Sequence, residues 1–351
     1  IGFHYGNDTG IKLLANGNYL VGSPFWDNGS SEDAGALTWG NGTTGTVGIV
    51  SSANSLVGSS TDDFVGDFIY GDVNITLLAN GNYVLCSPTW DNGTVTDAGA
   101  VTFGDGTTGV AGEISSANSL VGTTAGDKVG ALYYLTSSVT ELANGNYVVS
   151  SPTWDNGTVV DAGAVTFGNG TTGVSGVISA TNSLVGMTKD DHLGRKGLNT
   201  NGVTPLANGN YVVSSPSWNN GSIADAGAAT FADGTTGISG VITADNSLVG
   251  ATKDDLVGYA GVTALTNGNY VVSSPAWSNS SDVVVGAVTF GNGTTGITGP
   301  NCSSLNTRIP LLTGNNTAGK IKLSVVSPPF LFKIFAPFSV ASSINSHTFF
   351  A

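Results

Sequence analysis

Residues 142–186 read LANGNYVVSSPTWDNGTVVDAGAVTFGNGTTGVSGVISATNSLVG, and close copies of this stretch recur along the 351-residue chain. In each copy a tryptophan follows a proline by two residues. Four of these tryptophans are spaced by 64 residues and the fifth comes five residues early: Trp26, Trp90, Trp154, Trp218 and Trp277. A fixed period of this length indicates a repeat architecture.

A glycine after an apolar residue recurs at the same 64-residue spacing and marks the start of each unit. The five residues missing from the fifth copy lie between Gly258 and Asn267, which we therefore expect to be a surface connection. The expected units are repeats 1 to 5, at about 1–65, 66–129, 130–193, 194–257 and 258–300.

Turn residues divide one unit into strands. In repeat 2, Asn80-Gly81 separates two β-prone runs, which is a strong hairpin signal. Pro88 ends the second run because proline donates no ladder hydrogen bond. Ala100 to Phe103 reads as a third strand, and VAGEISS at 110–116 as a fourth. We therefore predict four short strands per unit, joined as an antiparallel meander.

The unit is β-rich, since Gly, Thr, Val and Asn form helices poorly and no stretch keeps a 3.6-residue period. A four-stranded sheet with two apolar faces must stack on its neighbours. Radial stacking gives a propeller and linear stacking gives a solenoid. We predict an all-β fold, a β-propeller of about five four-stranded antiparallel blades. The alternative is a linear β-repeat array or solenoid. Closure at five blades, closure at six with the tail, and an open array all remain open.

The charge of the chain limits which classes of partner it can bind. The formal net charge is −14, so nucleic acid is a poor partner, because phosphate binding needs a basic surface. The first 300 residues hold six basic and 24 acidic side chains, whereas residues 301–351 hold four basic and no acidic ones. We assign 301–351 to a divergent tail that supplies a last strand or a cap. Its apolar stretches at 321–326 and 330–338 could form strands.

No apolar run is long enough to span a membrane. The chain opens on Ile1-Gly2 without a basic leader, so we expect this start to be a processed end or an imposed boundary.

Three stretches resemble the FG-GAP repeats of integrin-type propellers: NGNYVVSSP at 144–152, AGAVTFG at 162–168 and SLVGTTAGDKVG at 119–130. The resemblance covers residues 1–300 and implies a propeller blade. Calcium loops of that family alternate aspartates beside Asn-Gly. The loop here is Ala-Asn-Gly-Asn, too short and without carboxylates, so that calcium site is not expected.

The amino-acid sequence of residues 142–186 is also similar to the tandem repeats of very large bacterial secreted proteins of the filamentous-haemagglutinin type. That resemblance implies a secreted or cell-surface piece of a longer array, with a structural or adhesive role. Cell-surface glycans or other copies of the array are the partners it suggests.

Catalysis is not indicated. The three histidines, His4, His192 and His347, do not recur and form no nucleophile–base pattern. The Gly-rich GDGTTGVAG at 104–112 precedes no helix and so lacks a helix N-terminus for phosphate. We therefore expect no enzyme and no cofactor.

Aspartates recur in two sets. One set precedes the next unit, and the other precedes the third strand. Calcium binding is conceivable, but turn chemistry explains such aspartates better, because Asp bonds its own backbone two residues on. We expect no metal at either set, namely Asp62-Asp63, Asp127, Asp190-Asp191 and Asp254-Asp255, and Asp33, Asp97, Asp161 and Asp225.

The recurring tryptophans are the best candidates for ligand binding. An indole on a loop can stack on a sugar while a neighbouring aspartate binds hydroxyls, and one site in each unit would give avidity. The alternative is that each indole packs against the adjacent unit. The candidate residues are Trp26, Trp90, Trp154, Trp218 and Trp277, with Asp27, Asp91 and Asp155. Thus the first hypothesis is a non-enzymatic structural or adhesive module, and the second is a multivalent lectin-like protein.

Overall fold

The computed structural model describes residues 10–67, 74–132, 137–197, 200–279 and 283–300, and the backbone of strands at 324–327 and 330–333. These residues are all-β, and no helix occurs among them. Each of the five repeats forms its own sheet. The expected all-β repeat architecture is therefore confirmed.

The strands are short, and most have equivalents in every repeat. Repeat 1 contains β1 (Ile11–Leu13), β2 (Tyr19–Ser23), β3 (Ala36–Gly40) and β4 (Ser55–Val57). Repeat 2 contains β5 (Ile75–Leu77), β6 (Tyr83–Ser87), β7 (Ala100–Gly104), β8 (Gly112–Glu113) and β9 (Ser119–Val121). Repeat 3 contains β10 (Val139–Glu141), β11 (Tyr147–Ser151), β12 (Ala164–Gly168), β13 (Gly176–Val177) and β14 (Ser183–Val185).

Repeats 4 and 5 continue the series. Repeat 4 contains β15 (Val203–Pro205), β16 (Tyr211–Ser215), β17 (Ala228–Ala232), β18 (Gly240–Val241) and β19 (Ser247–Val249). Repeat 5 contains β20 (Gly261–Ala264), β21 (Tyr270–Ser274), β22 (Ala287–Gly291) and β23 (Gly299–Pro300). In the tail, β24 (Ser324–Ser327) pairs with β25 (Phe330–Lys333) as a separate hairpin.

The Asn-Gly hairpin predicted for each unit is present. In repeat 2, β5 pairs antiparallel with β6, with Leu77 opposite Tyr83. The backbone N–H of Leu78 donates to the carbonyl of Asn82 at 2.8 Å. Gly81 has a φ of 91°, a conformation that favours glycine. The hairpin sets the register of the first two strands.

The fourth strand differs from the prediction. In repeat 2 it is the buried Ser119–Val121, and not the stretch 110–116. Within 110–116 only β8 is a strand, and it pairs in parallel with β4 of repeat 1, with Leu56 opposite Gly112. Ser-Leu-Val suits the sheet interior because both of its faces are buried, whereas Glu113 needs an exposed edge.

Each hydrophobic core lies between two repeats. Leu20, Leu37 and Leu56 of repeat 1 pack with Tyr83 and Leu85 of repeat 2 in one buried cluster. Equivalent clusters join repeats 2 and 3, 3 and 4, and 4 and 5. We call the side of a sheet that packs on the following repeat its forward face, and the opposite side its backward face. Successive residues of β6 alternate between the two faces, as strand geometry requires.

The sheets stack without closing. Repeats 1 to 4 each form a five-stranded sheet whose last, parallel strand comes from the following repeat, and the sheet of repeat 5 has three strands. Within the described ranges, hydrogen bonds between repeats join neighbouring repeats, such as the bond from Asn16 to Gly106. This arrangement fits a β-repeat array better than a propeller. Apart from its hairpin, the predicted tail strand or cap lies outside the described residues.

Candidate functional site: the interface between repeats

Three of the recurring tryptophans, Trp90, Trp154 and Trp218, belong to inter-repeat cores. Trp90, Trp154, Trp218 and Trp277 are 2–5% exposed, and the terminal Trp26 is half-buried. Trp90 belongs to the cluster that contains Leu14 and Leu56 of repeat 1. A sugar stacks on an open indole face, and this burial leaves little of one. This burial is consistent with the packing alternative for the four buried tryptophans, and sugar binding by the tryptophans stays a prediction.

The aspartates after the tryptophans organise their own loops. Oδ1 of Asp91 accepts the backbone N–H of Asp97 at 2.8 Å. This bond closes the segment between the second and third strands, residues 88–99 in repeat 2, which we call the Trp loop. Asn219 accepts the N–H of Asp225 in the same way, at 2.7 Å. An amide therefore replaces the carboxylate without loss of this bond. The same bond joins Asp27 to Asp33 and Asp155 to Asp161.

A second aspartate, at the end of each of repeats 1 to 4, reaches across the interface. Asp63 is fully buried, and its Oδ2 accepts the backbone N–H groups of Ser59 and Ser60, both at 2.8 Å. Its Oδ1 accepts the backbone N–H of Asp91 in repeat 2, also at 2.8 Å. One carboxylate thus ties the end of a repeat to the Trp loop of the next. Its equivalents are Asp127, Asp191 and Asp255.

We call these four residues the link aspartates. Each accepts three backbone N–H groups, so the contact survives where the residue that donates from the next repeat is Asn219 or Ser278 and not aspartate. The sequence contained a signal for them. Gly126 breaks the acidic pair in repeat 2, while the following Asp127 is kept. The second member of the pair is therefore the recurring one.

Burial raises the pKa of two link aspartates, Asp63 and Asp127. Desolvation raises the pKa of Asp63 to about 6, against three backbone N–H donors that lower it. The pKa of Asp127 is raised for the same reason. Asp63 and Asp127 are therefore structural anchors whose charge depends on pH.

The Asn-Gly-Asn turn makes a second recurring contact. The side-chain N–H₂ groups of Asn16 and Asn18 in repeat 1 donate to the carbonyl of Gly106 in repeat 2, at 2.7 and 2.9 Å. A side chain at Gly106 would overlap the carbonyl of Gly81, so glycine is required there. Asn82, Asn146 and Asn210 also accept a glycine N–H within their own repeat. The equivalent donor pairs are Asn80 and Asn82, Asn144 and Asn146, and Asn208 and Asn210.

Aromatic rings pack on glycines at two further places. The ring of Tyr83 covers Gly104, directly opposite it in the sheet. The side chain of Phe103 in repeat 2 lies against Gly173 in repeat 3, at the position where that glycine would carry a Cβ. Gly173, which the sequence places in a turn, is therefore also a site where two repeats approach closely.

One polar cluster occurs in repeat 3 alone among the described residues. Ligand atoms of Asp161, Asp190 and His192 lie within 4.8 Å of one another. His192 Nδ1 lies 3.1 Å from the carbonyl of Pro152. Lys189 pairs with Asp190 at 3.6 Å and supplies positive charge there. In repeat 2 the equivalent position holds Lys128, which pairs with Asp97 at 3.5 Å. This position therefore suits a surface ion pair, and we assign no metal to it.

These contacts define an all-β tandem-repeat protein whose repeats share cores, strands and polar anchors with their neighbours. The chain belongs to the family described as a repeat of unknown function (DUF5650), whose model matches five segments: residues 13–67, 77–131, 141–195, 205–259 and 264–308. No curated protein matches the chain.

The family match confirms the tandem-repeat prediction. The expected kinship with FG-GAP or filamentous-haemagglutinin repeats stays a prediction. No helix in the described ranges is long and apolar enough to cross a membrane.

Proposed function

We propose that this chain is a non-enzymatic structural module, an open stack of β-repeats that acts as a spacer or scaffold at the cell surface. The observation that carries the proposal is that one set of contacts recurs at four interfaces. The residues that recur most faithfully are used to join repeats: the link aspartates, the Asn-Gly-Asn turns and the buried tryptophans.

Stacking of this kind suits a scaffold. When each repeat contacts only its neighbours, stability is approximately a sum of repeat and interface terms, and length is set by the number of repeats. Exposure of the two end repeats favours an open array. In a closed five-bladed ring, repeat 5 would make to repeat 1 the contacts that repeat 1 makes to repeat 2, whereas Phe290 of repeat 5 and Ile11 of repeat 1 are exposed.

An extracellular location is part of the proposal. The similarity of residues 142–186 to repeats of large secreted proteins supports it. An adhesive role would arise from surfaces that the stack displays, since the cores and anchors are occupied by contacts between repeats.

The lectin-like alternative makes a different prediction for the tryptophans, and Trp154→Ala tests both. We expect the full chain to bind no sugar on a glycan array. We expect Trp154→Ala to lower the free energy of unfolding by about 3–5 kcal/mol, because a large buried side chain is removed. Sugar binding by the wild type that Trp154→Ala abolishes, with unfolding unchanged, would favour the lectin instead.

A further inference from the structure

The backward face of repeat 1 is an incomplete copy of an interface that the chain forms four times. Ile11 is 45% exposed, whereas its equivalents Ile75, Val139 and Val203 are 6–7% exposed. Tyr19 is half-buried, whereas Tyr83 is 1% exposed. The side chains that make the interior interfaces are present on this face, and no repeat among the described residues covers them.

The forward face of repeat 5 exposes side chains whose equivalents in repeat 4 are covered by the following repeat. Phe290 is 52% exposed, and its equivalent Phe231 packs on Gly296. Val271 is half-buried, whereas Val212 in repeat 4 is fully buried. Asn267 occupies the position from which Asn16 donates across an interface.

The two end faces carry matching parts. Asn267 and Asn269 of one molecule correspond to the pair that donates to a glycine carbonyl of the following repeat, and Gly42 of repeat 1 is the equivalent glycine. Phe290 is equivalent to Phe103, whose side chain covers Gly173 of the following repeat. Gly45 is the residue of repeat 1 that is equivalent to Gly173. What covers such a face inside the chain is the sheet of another repeat.

We propose that two copies of this chain associate head to tail, with the forward face of repeat 5 seated on the backward face of repeat 1. The proposal rests on the proposed function, because it extends the intramolecular stack into an intermolecular one. The contact is heterologous and does not close, so it would propagate into filaments at high concentration. Thr46 stands where the interior repeats have Val110, Val174 and Ile238, so we expect a weaker contact than the internal ones.

The test is the concentration dependence of molecular mass, measured by sedimentation velocity on the full chain. We expect the wild type to associate as concentration rises. Val21→Glu on the backward face and Phe290→Glu on the forward face should each weaken self-association at least tenfold. Each variant should then stay monomeric at concentrations at which the wild type associates. Val47→Glu is the matched control, because Val47 is 93% exposed and its equivalents are exposed within the stack.

Mixing the two variants identifies the geometry. The Val21→Glu chain keeps an intact forward face and the Phe290→Glu chain keeps an intact backward face, so an equimolar mixture should form one-to-one dimers and nothing larger. Ile11→Glu replaces Val21→Glu if the latter does not fold, as judged by circular dichroism. A wild type that stays monomeric throughout, or a mixture that forms no dimer, would overturn the proposal. Neither result contradicts the stacking of repeats within one chain, because that stacking is tested separately by unfolding measurements on the monomer.

Discussion

Oδ1 of Asp63 accepts the backbone N–H of Asp91 at 2.8 Å, so a fully buried carboxylate of repeat 1 holds the Trp loop of repeat 2. Two more N–H groups, of Ser59 and Ser60, complete its shell. Removal of this side chain would leave three donors without an acceptor at an interface that both repeats need.

We therefore expect Asp63→Ala to lower the free energy of unfolding at pH 7 by about 2–4 kcal/mol, since each unsatisfied buried donor costs roughly 1–3 kcal/mol and relaxation recovers part of it. Asp62→Ala is the control, because Asp62 is exposed and adjacent. Chemical denaturation of both variants measures the difference. Equal effects for the two would contradict an anchoring role for Asp63.

The raised pKa of Asp63 predicts a pH dependence of stability. Its pKa is about 6 in the folded chain, against an ordinary value of 3.8, so the folded state binds a proton more tightly than the unfolded state. The stability gained in this way is fully present below about pH 4 and is lost as pH rises through 6. The difference in unfolding free energy between wild type and Asp63→Ala should therefore shrink from pH 4 to pH 7, by up to about 3 kcal/mol. A difference that grows over this range would show that the carboxylate is favoured in its charged form.

The asparagine contacts can be isolated by comparing equivalent positions. Asn144 donates to the carbonyl of Gly234 in the next repeat at 2.6 Å, whereas Asn267 occupies the same turn in repeat 5, which no described repeat follows. Asn144→Ala should cost about 0.5–1.5 kcal/mol more than Asn267→Ala. Thermal unfolding at low protein concentration gives both values. Identical losses would mean that the asparagines act only within their own turns.

Two glycines of one strand-turn region should differ sharply in tolerance. A Cβ at Gly168 meets the ring of Tyr147, whereas a Cβ at Gly170 meets the backbone carbonyl of Gly145. Repeat 4 already has Ala232 opposite Tyr211, which shows that the ring can shift. We expect Gly168→Ala to cost at most about 1 kcal/mol and Gly170→Ala about 3 kcal/mol, within the range for overpacking. Denaturant midpoints for the pair would reveal the order, and the reverse order would contradict it.

The sequence was sufficient to predict the repeat, the hairpin at Asn80-Gly81 and the all-β class, because turn residues and spacing are local signals. It did not reveal which strand pairs with which repeat. Gly112–Glu113 looks like one more strand of its own unit, and only the long-range pairing with Leu56 places it on the sheet before.

The buried interface between repeats could be predicted only in part from the sequence. Tyr147–Ser151 is buried on both faces, and its run of apolar and small residues without polar alternation was consistent with that. The link aspartates were assigned to turns, and their bonds to Ser59-type donors are indeed local. Their third bond joins residues 28 positions apart in three cases and 23 in the fourth, which no turn pattern could show.

The distance between the first and last repeats separates an open stack from a closed ring. The chain has two cysteines, Cys86 and Cys302, and both are changed to serine. Spin labels are then placed at the exposed and equivalent residues Thr44, Thr172 and Thr295, which report on repeats 1, 3 and 5. Sheets pack about 10 Å apart, so the open stack predicts roughly 20 Å between labels 44 and 172 and roughly 40 Å between labels 44 and 295. A distance from 44 to 295 that is shorter than that from 44 to 172, measured by double electron–electron resonance, would mean that repeat 5 returns to repeat 1 and would contradict the stack.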